Sequence, residues 1–301
     1  MRRALLLAGL VVALCATTAR AEPRCFGAAA RDAVDPCHNP RLRFSVVPKP
    51  SDAPIIPSAP CSLIPARTGP RVCAFGLPAT RARVSFALVG DSHAVHWRAA
   101  LAEVARRKRW RGVSMDQTQC MFSRAVSALR EPLRADCIRW NGEVPRWLDE
   151  HPEVHTLFLS QQRGRGVVVP PGGTQMETKI RGYIDAWNAL PASVERIYVI
   201  RDVPYDTIHT PACVRRAMAR RSKPPGSACA RSRRAALRPD PAVLAARRLA
   251  SPRVRVIDLT RYMCGPRRCF PVVGGVLVHK DVGHLTRQFS TTLGRYLLRA
   301  L

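Results

Sequence analysis

The chain has 301 residues, 47% of them apolar, with 49 Lys plus Arg against 21 Asp plus Glu and a formal net charge of +28. That apolar fraction supports an ordinary globular core and excludes global disorder. The apolar residues are not gathered into several runs of bilayer length, which excludes a multi-span transporter or a membrane-embedded enzyme.

In chain order, Arg2 and Arg3 precede an apolar run from 4 to 16 and then Ala19-Arg20-Ala21. This is the order of a secretory signal peptide over residues 1–21, cleaved after Ala21. The run is shorter than the roughly 18 to 20 residues of a membrane anchor, and Leu14 is bulkier than a lipoprotein signal uses before Cys15. Residues 22–80 are rich in Pro and Cys with little periodicity, which predicts an irregular N-terminal extension packed on the main domain. Over residues 81–301, short β-branched runs alternate with longer helical stretches, the pattern of a parallel sheet with helices on both faces. Strands are predicted at 84–89, 112–115, 154–160, 196–200 and 254–259, and helices at 94–107, 138–150, 177–190, 241–249 and 286–300. Segments 161–173 and 203–240 read as long loops.

Export gives the cysteines their meaning. Ten of the eleven remain after the signal, an even number in an oxidising compartment, and no CxxC pair occurs. They read as five disulfides rather than as metal ligands, and no metal or other cofactor is expected. Short loops close most readily, so sequential couples are predicted: Cys25 with Cys37, Cys61 with Cys73, Cys120 with Cys137, Cys213 with Cys229 and Cys264 with Cys269. The mature chain stays strongly basic, which favours anionic polymers or membrane surfaces, yet only five of the 49 basic residues are Lys, so the Arg bias reflects base composition as much as a binding site. Between Arg215 and Arg238 lie nine Lys plus Arg and no acid, without the aromatic residues that stack on bases; this reads as a solvated basic loop, with no nucleic-acid partner.

Two motifs carry chemistry. Gly90-Asp91-Ser92-His93 follows the first predicted strand of the sheet domain and opens a helix bearing Trp97, which places Ser92 at the carboxyl edge where reactive groups of open α/β sheets gather. Asp91 or Ser92 could equally cap that helix. Asp281-Val282-Gly283-His284 supplies what a serine hydroxyl lacks, an imidazole to accept its proton and a carboxylate to orient that imidazole.

These motifs resemble those of the SGNH (GDSL-type) serine hydrolases and transferases, with their Gly-Asp-Ser nucleophile block and Asp-x-x-His last block. The chain is similar over nearly its whole mature length to the extracytoplasmic SGNH-like domain of bacterial membrane-bound polysaccharide O-acyltransferases. The shared features are the Cys-rich lead-in, Val89 to Ala94 with Trp97, Cys120 and Cys137 around a short loop, the strand and exit from Leu157 to Arg163, and Cys264 and Cys269 ahead of Asp281 to Thr286. The resemblance implies a three-layer α/β/α, flavodoxin-like parallel five-stranded sheet. It makes Ser92 the nucleophile, His284 the general base and Asp281 its orienting acid. The family's Gly-x-Asn-Asp block is absent; with the Ser92 backbone N–H, Gln161 is the first choice as second oxyanion donor.

The function so implied is O-acyl transfer, acetyl in the first instance, to a cell-surface polysaccharide outside the cytoplasm. A signal peptide stands where those acyltransferases carry a membrane domain, so the acyl group is expected from a separate membrane acyltransferase or from an existing ester. Alternatives are a secreted carbohydrate esterase of the same fold and a non-catalytic basic module that binds the envelope. Other candidates have structural readings. His93 shapes the turn, His96 flanks it, and His279 lies on the wrong side of Asp281 for Asp-x-x-His. Arg163-Gly164-Arg165-Gly166 is too short for an RNA-binding repeat, and Asp202, Asp206 and Asp258 read as solvated loop acids.

Overall fold

The computed structural model describes residues 22–301; the signal peptide expected over residues 1–21 lies outside the described residues. Seven strands form the main sheet: Ser62–Ile64 (β1), Val72–Gly76 (β2), Ser85–Gly90 (β3), Arg111–Asp116 (β4), Val154–Ser160 (β5), Arg196–Ile200 (β6) and Val254–Ile257 (β7). Their spatial order is β1-β2-β4-β3-β5-β6-β7. The five strands from β3 to β7 are parallel, β3 lying between β4 and β5, which is the flavodoxin-like order expected from the sequence.

The other two strands come from the N-terminal extension, which is less irregular than its composition suggests. β1 and β2 form a hairpin, and β2 runs antiparallel to β4 along the sheet edge. Three to five residues between Pro-rich stretches give too little periodicity to show in sequence. Further upstream, the Ala28 N–H donates to Thr292 Oγ1 at 3.0 Å and Arg299 meets Asp32 at 2.8 Å, so the extension is seated on the last helix.

The principal helices are Ser92–Lys108 (α1), Leu133–Asp149 (α2), Gln175–Asn188 (α3), Thr210–Arg220 (α4), Pro241–Leu249 (α5) and Arg287–Arg299 (α6). On one face of the sheet, Phe86, Leu88 and Phe158 pack with Trp97 and Leu101 of α1 and Phe289 and Leu293 of α6. On the other, Ala87, Val89, Leu157 and Leu159 pack with Trp140, Tyr183 and Trp187 of α2 and α3 and with Ala245 of α5. Strands β3 and β5 are thus buried on both sides along Phe86–Val89 and Leu157–Leu159, which is why these stretches read as unbroken apolar runs. The segment 203–240 is not one loop, because it contains α4. Only Thr210 and Val214 of that helix are buried, so no apolar stripe marks it, and the Cys213–Cys229 pair fastens it instead. All five cysteine pairs are the sequential couples, with Cα separations from 3.9 to 5.9 Å.

Candidate active site

The turn from β3 into α1 is built around Gly90, whose φ is 153° and where a Cβ would run into the Ser160 carbonyl oxygen of β5. Only glycine allows the two strand ends to lie so close. Asp91 then caps α1: its Oδ1 accepts from the His93 N–H at 2.8 Å. Its Oδ2 accepts from the Gln162 N–H at 2.9 Å, tying the turn to the exit of β5. Burial pushes the Asp91 carboxyl up, and the neighbouring His93 and the two N–H donors only partly oppose it. Since Asp91 does the capping, the Ser92 hydroxyl is free of that duty, and the Ser92 N–H is among the donors that the first turn of a helix leaves without an intrahelical partner.

The second motif arrives on the loop before α6. The N–H groups of Gly283 and His284 both donate to Asp281 Oδ1, at 2.9 and 2.8 Å, so the aspartate forms the turn that carries the histidine. The same carboxylate takes the imidazole Nδ1–H, with Oδ2 at 2.8 Å. Burial alone would raise the Asp281 carboxyl, but these hydrogen bonds and the His284 charge outweigh it and hold it well below the ordinary carboxylate range. Nε2 of His284 is then left as the acceptor, and it lies 2.8 Å from Ser92 Oγ. Residues 192 positions apart are brought into one hydrogen-bonded line of carboxylate, imidazole and hydroxyl, at the carboxyl edge beside the point where the strand order reverses. The line can do one thing well: draw a proton off the hydroxyl as its oxygen attacks an electrophile.

Gln161, at the exit of β5, is buried. Its Oε1 accepts from the Phe122 N–H at 2.8 Å, while its Nε2 has no hydrogen-bond partner among the described residues. His279 pairs with Asp206 at 3.0 Å, apart from the serine. His96 is buried 6.1 Å, ring to ring, from His284, and burial with the surrounding cationic groups holds it well below its ordinary value, so it is neutral. Asp258 is a half-exposed acid paired with Arg201, as a loop acid should be.

Asp202 departs from the sequence reading: it is buried, not solvated. Its Oδ1 accepts from His93 Nδ1 at 2.7 Å, and its Oδ2 accepts from Arg163 Nη1 and the Tyr205 hydroxyl, each at 3.0 Å. Burial opposes the charge on Asp202, but His93 and Arg163 more than offset it and lower its pKa. His93 is correspondingly raised: burial pulls it down, and the charge and hydrogen bond of Asp202 push it further up. Asp202 follows β6 as Ser92 follows β3, and that placement at the carboxyl edge was the one sign of its importance in the sequence.

Residues 60–299 match the family described as the SGNH domain (fused to AT3 domains). The chain belongs to this family. It is therefore an SGNH-type enzyme, an acyltransferase or esterase. Among solved structures it resembles the periplasmic domain of a lipopolysaccharide acetyltransferase from Salmonella ser. Paratyphi A, with a TM-score of 0.54 and 13% identity over 74% of this chain and 90% of that one. At that identity the likeness is one of fold. No curated protein sequence matches the chain. No helix among the described residues is long and apolar enough to cross a membrane.

Proposed function

We propose that this SGNH domain transfers an acyl group, acetyl in the simplest case, to a hydroxyl of a cell-surface polysaccharide through an acyl-Ser92 intermediate. The observation that carries this reading is the 2.8 Å contact between His284 Nε2 and Ser92 Oγ, with Asp281 behind it. Ser92 Oγ attacks the carbonyl carbon of the acyl donor as its proton passes to Nε2. The leaving alkoxide takes that proton, and the acyl-serine remains. An acceptor hydroxyl then gives its proton to Nε2 as it attacks the ester, and Ser92 recovers the proton on release. The tetrahedral oxyanion of each step is met by the Ser92 N–H and, as second donor, by the unpartnered Nε2 of Gln161.

Occurrence of the family fused to AT3 domains supports a membrane acyltransferase as the acyl source. Five disulfides suit an exported protein, with residues 1–21 as its signal and the mature chain starting at Glu22. The division that goes with this reading is an extension over residues 22–80 and a sheet domain over 81–301, the extension lending β1 and β2 to the edge of the sheet.

Hydrolysis is the second reading, favoured by one observation: the His284 side chain is 29% exposed, so water reaches the acyl-enzyme in the absence of acceptor. Labelling with a serine-directed fluorophosphonate, with Ser92→Ala and His284→Ala as controls, tests the nucleophile. Mass spectrometry of a glycan incubated with the protein and an activated acetyl ester then decides between the readings. Acetylated glycan supports transfer, whereas free acetate with every surface glycan supports the esterase.

A further inference from the structure

A second Asp–His pair lies directly beneath the first. We infer that His93 is a positioning residue for the base: held by Asp202, its ring is the seat on which the turn carrying His284 rests. This inference depends on the reading of Ser92 and His284 as nucleophile and base.

His93 is 1% exposed and follows Ser92 on the first turn of α1. With Nδ1 bonded to Asp202, the Cε1–Nε2 edge of the imidazole faces the turn. A Cβ built on Gly283 would lie 3.3 Å from His93 Cε1 and 3.5 Å from its Nε2. Gly283 thus serves closeness rather than backbone conformation, since its φ is not in the left-handed region and a methyl here would press on the ring by a few tenths of an ångström. The ring centroids of His93 and His284 are 4.7 Å apart.

The seat is itself fixed from below. Besides its two bonds to Arg163 Nη1 and the Tyr205 hydroxyl, Asp202 accepts from the backbone N–H of Arg163 at 3.0 Å and of Val203 at 2.9 Å. Arg163 donates onward to the carbonyls of Val203 and Ala236, and its guanidinium lies 3.8 Å over the Tyr205 ring. Tyr205 Cε1 would be 3.4 Å from the same Gly283 Cβ, so it forms the other half of the seat. From above, the Asp206 N–H holds the Val282 carbonyl at 2.8 Å. The exits of β5 and β6 are thus joined through Asp202 and His93 to the turn that sets the distance from Nε2 to Ser92. A displacement of about 1 Å in such a contact costs on the order of 10²-fold in rate.

The test uses the mature protein with p-nitrophenyl acetate. His93→Asn keeps an N–H donor for Asp202 and removes the ring edge. The expected result is a kcat lowered about 10- to 100-fold, with KM within twofold and cooperative urea unfolding retained. Gly283→Ala reads the same contact from the turn, with both members of the buried pair still present, and is expected to lower kcat about fivefold. Combined with His93→Asn it should cost less than the product of the two, because the new methyl occupies space the ring has left. A kcat within twofold of wild type in a folded His93→Asn variant overturns the inference. So does a Gly283→Ala variant at wild-type kcat, or a double variant showing the full product. If Ser92→Ala itself retains turnover, the reading of the site has failed and the inference falls with it; if Ser92→Ala is inactive while His93→Asn is not, only the role of His93 has failed.

Discussion

The two Asp–His pairs are chemically alike and physically opposite. Asp281 and His284 meet at 2.8 Å with side chains 47% and 29% exposed, while Asp202 and His93 meet at 2.7 Å with both side chains at 1% or less. The exposed pair is held by local means, an aspartate whose carboxylate takes two N–H groups of its own turn. The buried pair is held by the fold, through an arginine, a tyrosine and two strand exits. A base that must exchange protons with substrate has to be reachable, and a reachable imidazole has few neighbours to fix it. The buried pair supplies the rigidity that the exposed one cannot supply for itself.

Removing the exposed chemistry should abolish activity without harming the fold. Ser92→Ala and His284→Ala are each expected to lower acetyl-ester turnover by about 10³-fold or more, with unchanged urea midpoints. Wild-type turnover in purified Ser92→Ala would end the assignment. Asp281→Asn is expected to cost about 10²- to 10⁴-fold in kcat. Its remaining oxygen can still accept from the turn, but its amide nitrogen faces His284 Nδ1 and favours the wrong tautomer. If Asp281→Asn turned over like wild type, the carboxylate would be only a cap for the turn.

Removing the buried carboxylate should instead show in stability. Asp202→Ala leaves Arg163 and His93 without their acceptor in a dry site, and losing one member of such a pair costs about 3–5 kcal/mol. Asp281→Ala, at an exposed pair, should cost no more than about 1 kcal/mol. Urea unfolding of both variants beside wild type measures the difference. Equal losses would show that burial does not separate the two pairs.

This contrast also explains what the sequence could and could not disclose. Ser92 and the Asp281–His284 turn are encoded locally: a glycine and a capping acid just before the serine, and two residues between the carboxylate and the imidazole. The central parallel strands announce themselves because β3, β5 and β6 carry apolar runs buried on both faces, whereas β7 at the edge, with Arg255 in its middle, buries only Ile257 and is marked by its β-branched residues. Asp202 has no local signature, since what makes it matter is the convergence of Arg163, Tyr205 and His93 from three different chain segments. The hairpin of β1 and β2 and the helix α4 were hidden for a related reason, being short or held by a disulfide rather than by an apolar stripe. Gln161 stands between these cases: its place after the central strand is readable, but its pairing with the Phe122 N–H is a product of the fold.

The smallest expected effect separates Asp202 from the buried carboxylate next to it. Asp240 caps α5 by accepting from the Ala242 N–H at 2.9 Å, and it accepts from the Asp202 N–H at 2.8 Å. Burial pushes its pKa up to about 6, with the Asp202 charge acting in the same direction and the two N–H groups and Arg163 against it. Unfolded, it titrates near the ordinary 3.8. Between those values the folded chain binds more protons at this site than the unfolded chain, so stability falls as pH rises. The stabilising contribution is complete below about pH 4 and lost as pH passes through about 6, a change on the order of 2–3 kcal/mol. Asp202, lowered rather than raised, behaves in the reverse sense: its contribution is present above its unfolded pKa and is lost as acid protonates the folded form. Asp240→Asn has no proton to lose at this site. It should be less stable than wild type near pH 4.5, because one of its two N–H donors then faces an amide NH₂. That deficit should shrink, or change sign, by pH 7.5. Urea unfolding of both proteins across that range reads the difference directly, free of the titrations they share. A gap that stays constant with pH would mean that Asp240 is ionised throughout, and that the two neighbouring aspartates share one electrostatic environment after all.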